Sequence, residues 1–288
     1  MKNADRCHRP SGHESENFIF KLRYVLVCVI CVIIAVTCLA LDSTIFTASP
    51  GKKTSSYGKV TVDYSNASQG YIAVKHDASD RKTKLRIVRG NNTDTYDLKT
   101  DGQYSYFPLQ YGSGTYNVSV YGNVGGDKYA QEFGTEIKVN LTDEFACYIC
   151  PNQRVWYDEG SSVVALADKL CEGLETDLDK TRACYQWVTK NIKYDYMKAF
   201  NVQTGYLPDN EVTLANRSGI CYDIASLLCA MLRSQGVYTQ LAIGTVNDHN
   251  MSVSHSWNLV YINGEWKMLD PTSPGKYSSS AYKLMRTC

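Results

Sequence analysis

The sequence predicts an α+β protein in which an all-β region precedes a region of mixed helices and strands. Between residues 58 and 145, apolar and polar residues alternate in short runs, which is typical of half-buried strands. After residue 150, apolar residues recur at spacings of three and four, which is typical of amphipathic helices. Residues 24–41 contain no charged side chain, and this run predicts a transmembrane helix ahead of both regions.

Length and charge limit the classes of function. The chain has 288 residues, enough for two modest domains and an anchor. Lys and Arg together number 30 and Asp and Glu number 29, so the formal net charge is +1. This balance gives no indication of a nucleic-acid-binding protein, and we expect no nucleic-acid partner.

The N-terminal segment predicts a single-pass membrane protein. The basic residues of the leader, residues 1–23, lie before the apolar run of residues 24–41. The positive-inside rule therefore predicts a cytoplasmic leader, an anchor in the cell membrane and an extracytoplasmic location for the rest of the chain. Cleavage after Ala40 is the alternative, because Cys38-Leu39-Ala40 has the small-x-Ala pattern of a signal peptide. That alternative would give a secreted protein.

Residues 42–57 are rich in Ser, Thr, Gly and Lys, and they predict a flexible linker. The following domain, residues 58–145, contains seven candidate strands: 60–64, 71–74, 85–88, 96–98, 104–107, 116–121 and 137–141. Short strands at this spacing predict a β-sandwich of immunoglobulin-like type. No acid–base constellation lies within it, so we interpret the domain as a spacer or a binding module.

The stretch from Arg217 to Leu232 predicts a loop that leads into a helix. Apolar residues at Ile224, Ala225, Leu228 and Leu232 fall on one helical face. Cys221 then lies at the helix start, where unpaired backbone N–H groups and the helix dipole favour a thiolate. A cysteine in an apolar helix is more often a core residue, so this pattern alone does not identify a nucleophile.

A β-hairpin downstream is predicted to carry a histidine and a carboxylate. Asn263-Gly264 is a strong signal for a two-residue turn. Counting back from this turn places Tyr261 opposite Trp266. The same register puts His255 on the diagonal of Asp270, where Cα atoms lie ~7–8 Å apart. A helix-start thiolate, an imidazole and an orienting carboxylate together predict covalent acyl transfer.

These residues resemble the transglutaminase-like superfamily in its microbial form. The motifs are G-x-C ending at Cys221, H-x-W beginning at His255, and W-x-x-x-D-P containing Asp270. The resemblance covers about residues 152–272 and implies a papain-like α+β core, which we predict over residues 150–288. It implies that Cys221 is the nucleophile, His255 the base and Asp270 the orienting group. It also implies a bacterial protein that needs neither a cofactor nor a metal ion.

The predicted function is a membrane-anchored, extracytoplasmic cysteine acyl-transfer enzyme that acts on peptide or carboxamide bonds. Water as the acceptor would make it a protease or amidase, and an amine would make it a transglutaminase. The sequence does not choose between these acceptors. A non-catalytic cell-surface binding module on the same fold is the alternative. The expected partners are a protein or peptide substrate, with the cell wall as one candidate setting, and the membrane.

Three further expectations concern residues near the motifs. Tyr194 follows a predicted helix, and the resemblance makes it a candidate oxyanion donor beside the Cys221 backbone N–H; packing in the wall of the cleft is the alternative. Six other cysteines after residue 42 would permit up to three disulfides, and Cys171 and Cys184 form a candidate pair. His249 lies in a polar loop and is interpreted as a solvated histidine.

Overall fold

The computed structural model describes residues 49–248 and 251–288. The leader and the candidate anchor or signal peptide, residues 1–41, lie outside the described residues, as do the first part of the predicted linker and His249. Within the described ranges, no helix is long and apolar enough to cross a membrane.

The first domain consists of two four-stranded antiparallel sheets. The first sheet has the order β1-β2-β3-β6 and contains Thr54–Tyr57, Val60–Asp63, Tyr71–His76 and Tyr104–Pro108. The second sheet has the order β5-β4-β7-β8 and contains Asn92–Leu98, Thr83–Arg89, Gly114–Gly125 and Lys128–Val139. Alternate residues of both sheets, such as Val62 and Ile72 from one and Leu85 and Val118 from the other, form a single buried cluster. The domain is therefore a β-sandwich.

A tyrosine corner marks the start of β7. The buried Tyr116 hydroxyl donates to the carbonyl oxygens of Leu109 at 3.3 Å and Gly112 at 2.8 Å. It also accepts from the Tyr111 N–H at 3.0 Å. This arrangement is a hallmark of immunoglobulin-like sandwiches, and it agrees with the architecture that the strand spacing predicts.

Two edge strands differ from the expectation. Strand β1, Thr54–Tyr57, lies inside the segment predicted as a flexible linker and pairs with β2. Strand β8 begins at Lys128, well before the predicted start at residue 137. Both strands lie at sheet edges, and most of their side chains are exposed or half-exposed, so neither shows the clean alternation of a buried strand.

The second domain combines helices with a four-stranded antiparallel sheet. Its helices α1 to α5 are Ser162–Cys171, Asp177–Asn191, Tyr196–Asn201, Asn210–Asn216 and Cys221–Ser234. Its sheet has the order β13-β12-β11-β14 and contains Glu265–Leu269, Met251–Ile262, Thr239–Asp248 and Tyr282–Thr287. The two-residue strands β9 and β10, Lys193–Tyr194 and Ser218–Gly219, pair in parallel. Helix α5 is buried along nearly its whole length and packs against α1, α2, α4 and β12, so it forms the centre of the core.

A connecting segment, residues 140–157, packs against both domains. The Phe145 ring lies 4.7 Å from the Tyr261 ring and 5.9 Å from the Trp266 ring, centroid to centroid. On the sandwich side, Gly70 approaches the backbone of Cys147 so closely that an added Cβ would lie 2.8 Å from its nitrogen. The sandwich and the second domain are thus joined by packed side chains as well as by the chain itself.

Arg233 also links separate segments of the chain, and its side chain is almost completely buried. Its guanidinium donates to the carbonyl oxygens of Thr239 at 2.8 Å, Cys150 at 2.7 Å and Cys288 at 2.5 Å. These carbonyls belong to the start of β11, the connecting segment and the residue after β14. One side chain on α5 therefore holds three distant segments together.

The seven described cysteines are free thiols. The predicted pair is in contact, since the Sγ atoms of Cys171 and Cys184 lie 3.7 Å apart, but no disulfide joins them. The expectation of up to three disulfides is therefore not met among the residues that the structure describes.

Candidate active site

The start of α5 is fixed by three residues around Cys221. The first helical residue is Cys221, and its side chain is half-buried. Asp223 accepts a hydrogen bond from the Ile220 N–H at 2.9 Å, which satisfies one of the backbone donors at the helix start. A Cβ at Gly219 would lie only 2.6 Å from the Asp223 Cβ, so the close approach requires glycine. The G-x-C-x-D spacing thus builds the cap that positions the thiol.

The hairpin brings His255 and Asp270 together. The pairing of β12 with β13 runs from Ile262–Glu265 to Asn258–Leu269, in the register counted from the turn. Strand β13 ends one residue before Asp270, and His255 Nε2 lies 2.8 Å from Asp270 Oδ2. Both side chains are buried, so the hydrogen bond is largely shielded from water.

Cys221 completes this group on the other side of the imidazole. The Cys221 thiol lies close enough to His255 to raise the pKa of the imidazole. Because Asp270 occupies Nε2, Nδ1 is the ring nitrogen left to face the sulfur. The structure therefore brings together all three residues that the sequence singles out.

The charges of this group favour a protonated imidazole. Burial lowers the pKa of His255, but its contacts with Asp270 and Cys221 raise the pKa more, from an ordinary 6.5 to about 9. Burial also raises the pKa of Asp270. Hydrogen bonds from His255 and Tyr282 outweigh that effect, and the pKa of this carboxyl ends below its usual value. An imidazolium held by a carboxylate and placed beside a thiol is suited to stabilise a thiolate and to donate a proton.

Tyr194 lies beside the same thiol. Strand β9 pairs with β10 so that Tyr194 is opposite Gly219, and the tyrosine hydroxyl lies near Cys221. Burial, followed by the charge of Cys221, raises the pKa of Tyr194 to about 12, so the hydroxyl keeps its proton. A neutral hydroxyl next to the sulfur is a suitable donor to an oxyanion.

Residues 164–271 match the sequence profile described as the transglutaminase-like superfamily. This segment belongs to that superfamily. Kyphoscoliosis peptidase from Homo sapiens is 26% identical to this chain over 120 residues, which are 39% of this chain and 18% of that protein. The Mus musculus protein of the same name is 25% identical over 120 residues. The match thus spans less than a fifth of the length of these curated relatives.

Solved structures also show similarity to this chain. A proposed cysteine protease from Cytophaga hutchinsonii has a TM-score of 0.44 and 15% identity, with 76% of this chain and 76% of that chain covered. The structure of red sea bream transglutaminase has a TM-score of 0.32 and 14% identity, with 73% of this chain and 48% of that chain covered.

The transglutaminase-like domain contains a site residue that sequence reasoning missed. The Tyr282 hydroxyl donates to Asp270 Oδ2 at 2.7 Å, and its ring lies 5.1 Å from that of Trp257. Strand β14 carries this tyrosine into the site by pairing with β11, where Tyr282 is opposite Val246. No motif surrounds Tyr282, and only this long-range pairing reveals it.

A cavity of about 450 Å³ lies between the sandwich and the transglutaminase-like domain. Its aromatic and apolar lining includes Tyr104 and Tyr106 from the sandwich, and Trp156 and Leu207 from the other side. Cys221, His255 and Asp270 are not among the lining residues, so this cavity is separate from the candidate active site.

Across residues 49–248 and 251–288, no group of three or more His, Cys, Asp or Glu side chains is arranged to hold a metal ion.

Proposed function

We propose that this protein is a cysteine acyl-transfer enzyme acting on peptide or carboxamide bonds. The observation that carries the proposal is the His255 imidazole, which is held between Asp270 at 2.8 Å and the thiol of Cys221. A buried histidine with a structural role would satisfy its hydrogen bonds without a thiol at the start of a helix. The combination of nucleophile, base and orienting group is the set that acyl transfer needs.

In the proposed reaction, the Cys221 thiolate attacks the carbonyl carbon of the substrate and forms a C–S bond. The carbonyl oxygen becomes an oxyanion, to which the Cys221 N–H and the Tyr194 hydroxyl donate. As the C–N bond breaks, His255 gives its proton to the leaving amine or ammonia. The product of this half-reaction is a thioester on Cys221.

The second half-reaction restores the enzyme. Neutral His255 removes a proton from water or from an amine, which attacks the thioester carbonyl. The C–S bond breaks, and Cys221 leaves as a thiolate beside the imidazolium. Asp270 keeps the ring oriented and stabilises its charge in both half-reactions.

The acceptor defines the class of enzyme. Water gives a protease or amidase, and an amine gives a transglutaminase. The curated relative with the local similarity is named a peptidase, which supports testing hydrolysis first. A protein or peptide is the proposed substrate in either case.

We also propose that the catalytic domain acts outside the cytoplasm of a bacterial cell. The uncharged run of residues 24–41 after a basic leader supports an anchor in the cell membrane. Cleavage of this segment would instead release the same domain as a secreted enzyme. Polypeptides near the cell surface, including those of the wall, are then the accessible substrates.

A cell-surface binding module is the second candidate, because a cleft of this kind can bind a polypeptide without cleaving it. Replacement of Cys221 by Ser separates the two. An enzyme loses turnover with this variant, whereas a binding module keeps its full biological activity.

The test is a brief iodoacetamide pulse near neutral pH on residues 49–288, followed by mass spectrometry of each cysteine. We expect Cys221 to label far faster than the buried thiols and to lose this advantage in His255→Ala. His76→Ala is the matched control, because His76 is a buried histidine with a carboxylate partner, Glu132, in the sandwich. Equal labelling of Cys221 in the native protein and in His255→Ala would contradict the proposal.

A further inference from the structure

A second buried carboxylate lies two residues after the candidate nucleophile. Asp223 is completely buried in the first turn of α5, and its Oδ2 caps the Ile220 N–H. The same oxygen lies 2.7 Å from Lys198 Nζ, and Oδ1 accepts from the Tyr206 hydroxyl at 2.6 Å. A cap at a helix start needs neither of these additional partners.

Lys198 and Tyr206 are also bonded to each other. Lys198 Nζ donates to the Tyr206 hydroxyl at 2.7 Å and lies 4.6 Å from the centroid of its ring. Together with Asp223, these two residues form a closed triangle, which we call the Lys198 clamp. The triangle fastens α3 and the loop after it to the start of α5.

The segment before α3 is held at the same place. Asp195 caps α3 by accepting from the Lys198 N–H at 2.8 Å, and its own N–H donates to the Gly219 carbonyl at 2.9 Å. The preceding residue, Tyr194, contacts the Cys221 thiol. The clamp therefore holds the wall of the candidate site as well as the helix start.

The electrostatic consequence concerns Cys221. A buried carboxylate opposes a second negative charge nearby, and Asp223 lies in the same helical turn as the thiol. A positive charge on Lys198 cancels this effect. Burial lowers the pKa of Lys198, but its bonds to Asp223 and Tyr206 raise the pKa more, so the ammonium stays charged.

We propose that Lys198 is a positioning residue whose ammonium neutralises Asp223 and so keeps Cys221 a reactive thiolate at neutral pH. The proposal rests on the proposed function, in which Cys221 is the nucleophile. Lys198 acts through Asp223, and it makes no contact with the reacting atoms in this scheme.

Several other groups bear on the charge of Cys221. His255 approaches from β12 with Asp270 behind it, and Tyr194 approaches from β9. Substitution of Lys198 or Asp223 changes none of these three side chains. The sign of the difference between the two variants then separates the charge effect of the clamp from its role in holding Tyr194 and the helix start.

The test is the rate of iodoacetamide labelling of Cys221 between pH 5 and 10, in the full chain. In Lys198→Met, we expect the pH midpoint to rise by about one unit, so that labelling at neutral pH falls about tenfold. In Asp223→Asn, we expect the midpoint to move to lower pH, since the ammonium then has no compensating carboxylate. Lys198→Arg keeps the positive charge and should keep the native pH profile of Cys221 labelling.

Two further variants test whether the shift in pH midpoint comes from the charge balance between Lys198 and Asp223. Lys198→Met combined with Asp223→Asn has no unpaired buried charge and should return the midpoint to near its native value. Lys180→Met is the control for a charge lost far from Cys221, because Lys180 lies on α2 and donates to the Gln235 carbonyl at the opposite end of α5. Near-ultraviolet circular dichroism checks that each variant is folded.

The signs of the shifts decide the outcome. A native profile in Lys198→Met would overturn the proposal, as would shifts of the same sign in Lys198→Met and Asp223→Asn, which indicate a loosened helix start. Failure of the proposed function shows itself separately, as Cys221 labelling that does not respond to His255→Ala.

Discussion

The Tyr282 hydroxyl and the His255 imidazole share one oxygen of Asp270, at 2.7 and 2.8 Å. The other carboxylate oxygen accepts from the N–H groups of Thr272 at 2.9 Å and Ser273 at 3.1 Å. Four donors thus hold one carboxylate. Of these, the Tyr282 hydroxyl can be removed by substitution without replacing His255 or a backbone N–H group.

Tyr282→Phe removes a hydrogen bond that helps to lower the pKa of Asp270. The pKa of this carboxyl should rise, and the acid limb of the Cys221 labelling profile should move to higher pH. The half-buried hydroxyl should contribute about 1 kcal/mol to the free energy of unfolding. Urea unfolding and labelling between pH 4 and 7 measure the two effects. Tyr277→Phe is the control, because Tyr277 bonds Asp248 instead; the same acid shift in this control would refute the assignment.

Asp270→Asn tests the charge state of His255. With a folded pKa of about 9 against an ordinary 6.5, protonated His255 stabilises the native state fully below pH 6.5, and this stability is lost as the pH rises through 9. The free energy of unfolding of the variant should therefore fall furthest below the native value near pH 6, by up to about 3 kcal/mol. The difference should become smaller by pH 9.5. Urea unfolding at pH 6, 7.5 and 9.5 gives the difference. A deficit that does not change over this range would show that His255 is neutral in the native protein.

Gly219→Ala tests the close approach at the helix start. The added Cβ would lie 2.6 Å from the Asp223 Cβ, so the cap must shift. We expect a loss of about 1–3 kcal/mol in unfolding free energy and slower labelling of Cys221. Gly160→Ala is the matched control, since its nearest neighbour, Asp158 Oδ1, would lie at 3.5 Å. Equal stability of the two variants would show that the cap tolerates a methyl group.

Arg233→Met removes the donor to three buried carbonyls. Each unpaired carbonyl is costly, so the free energy of unfolding should fall by at least about 3 kcal/mol. Arg217→Met is the control, because that guanidinium lies over the Trp187 ring, 4.6 Å from its centroid, and should contribute about 1 kcal/mol or less. Chemical unfolding followed by tryptophan fluorescence makes the comparison. Similar losses in the two variants would mean that water replaces the lost donors at the three carbonyls.

The parts of the site that follow from local rules could be predicted from the sequence. The Asn263-Gly264 turn sets the register of β12 and β13, and this register brings His255 to Asp270. Helical spacing likewise predicts that Cys221 lies in or just before the first turn of a helix, and it is the first residue of α5. In both cases a few adjacent residues determine the geometry.

Contacts between distant segments could not be predicted in the same way. Tyr282 reaches Asp270 only because β14 pairs with β11, and Lys198 reaches Asp223 through the loop after α3. No local pattern encodes either approach. The sequence also placed Cys171 near Cys184 correctly, but proximity of two thiols does not determine whether they are bonded.

The rings around Phe145 bear on how the chain can be divided. Phe145 precedes the predicted start of the second domain, yet it packs on Tyr238 at 5.6 Å and on Tyr261 at 4.7 Å. A fragment that begins at residue 150 would lose this cover and expose aromatic surface to water, which favours aggregation. Such a fragment would also lack both sides of the contact between Gly70 of the sandwich and the backbone of Cys147. The sandwich and the second domain therefore belong to one compact unit, and a fragment intended for enzymology should begin no later than strand β1.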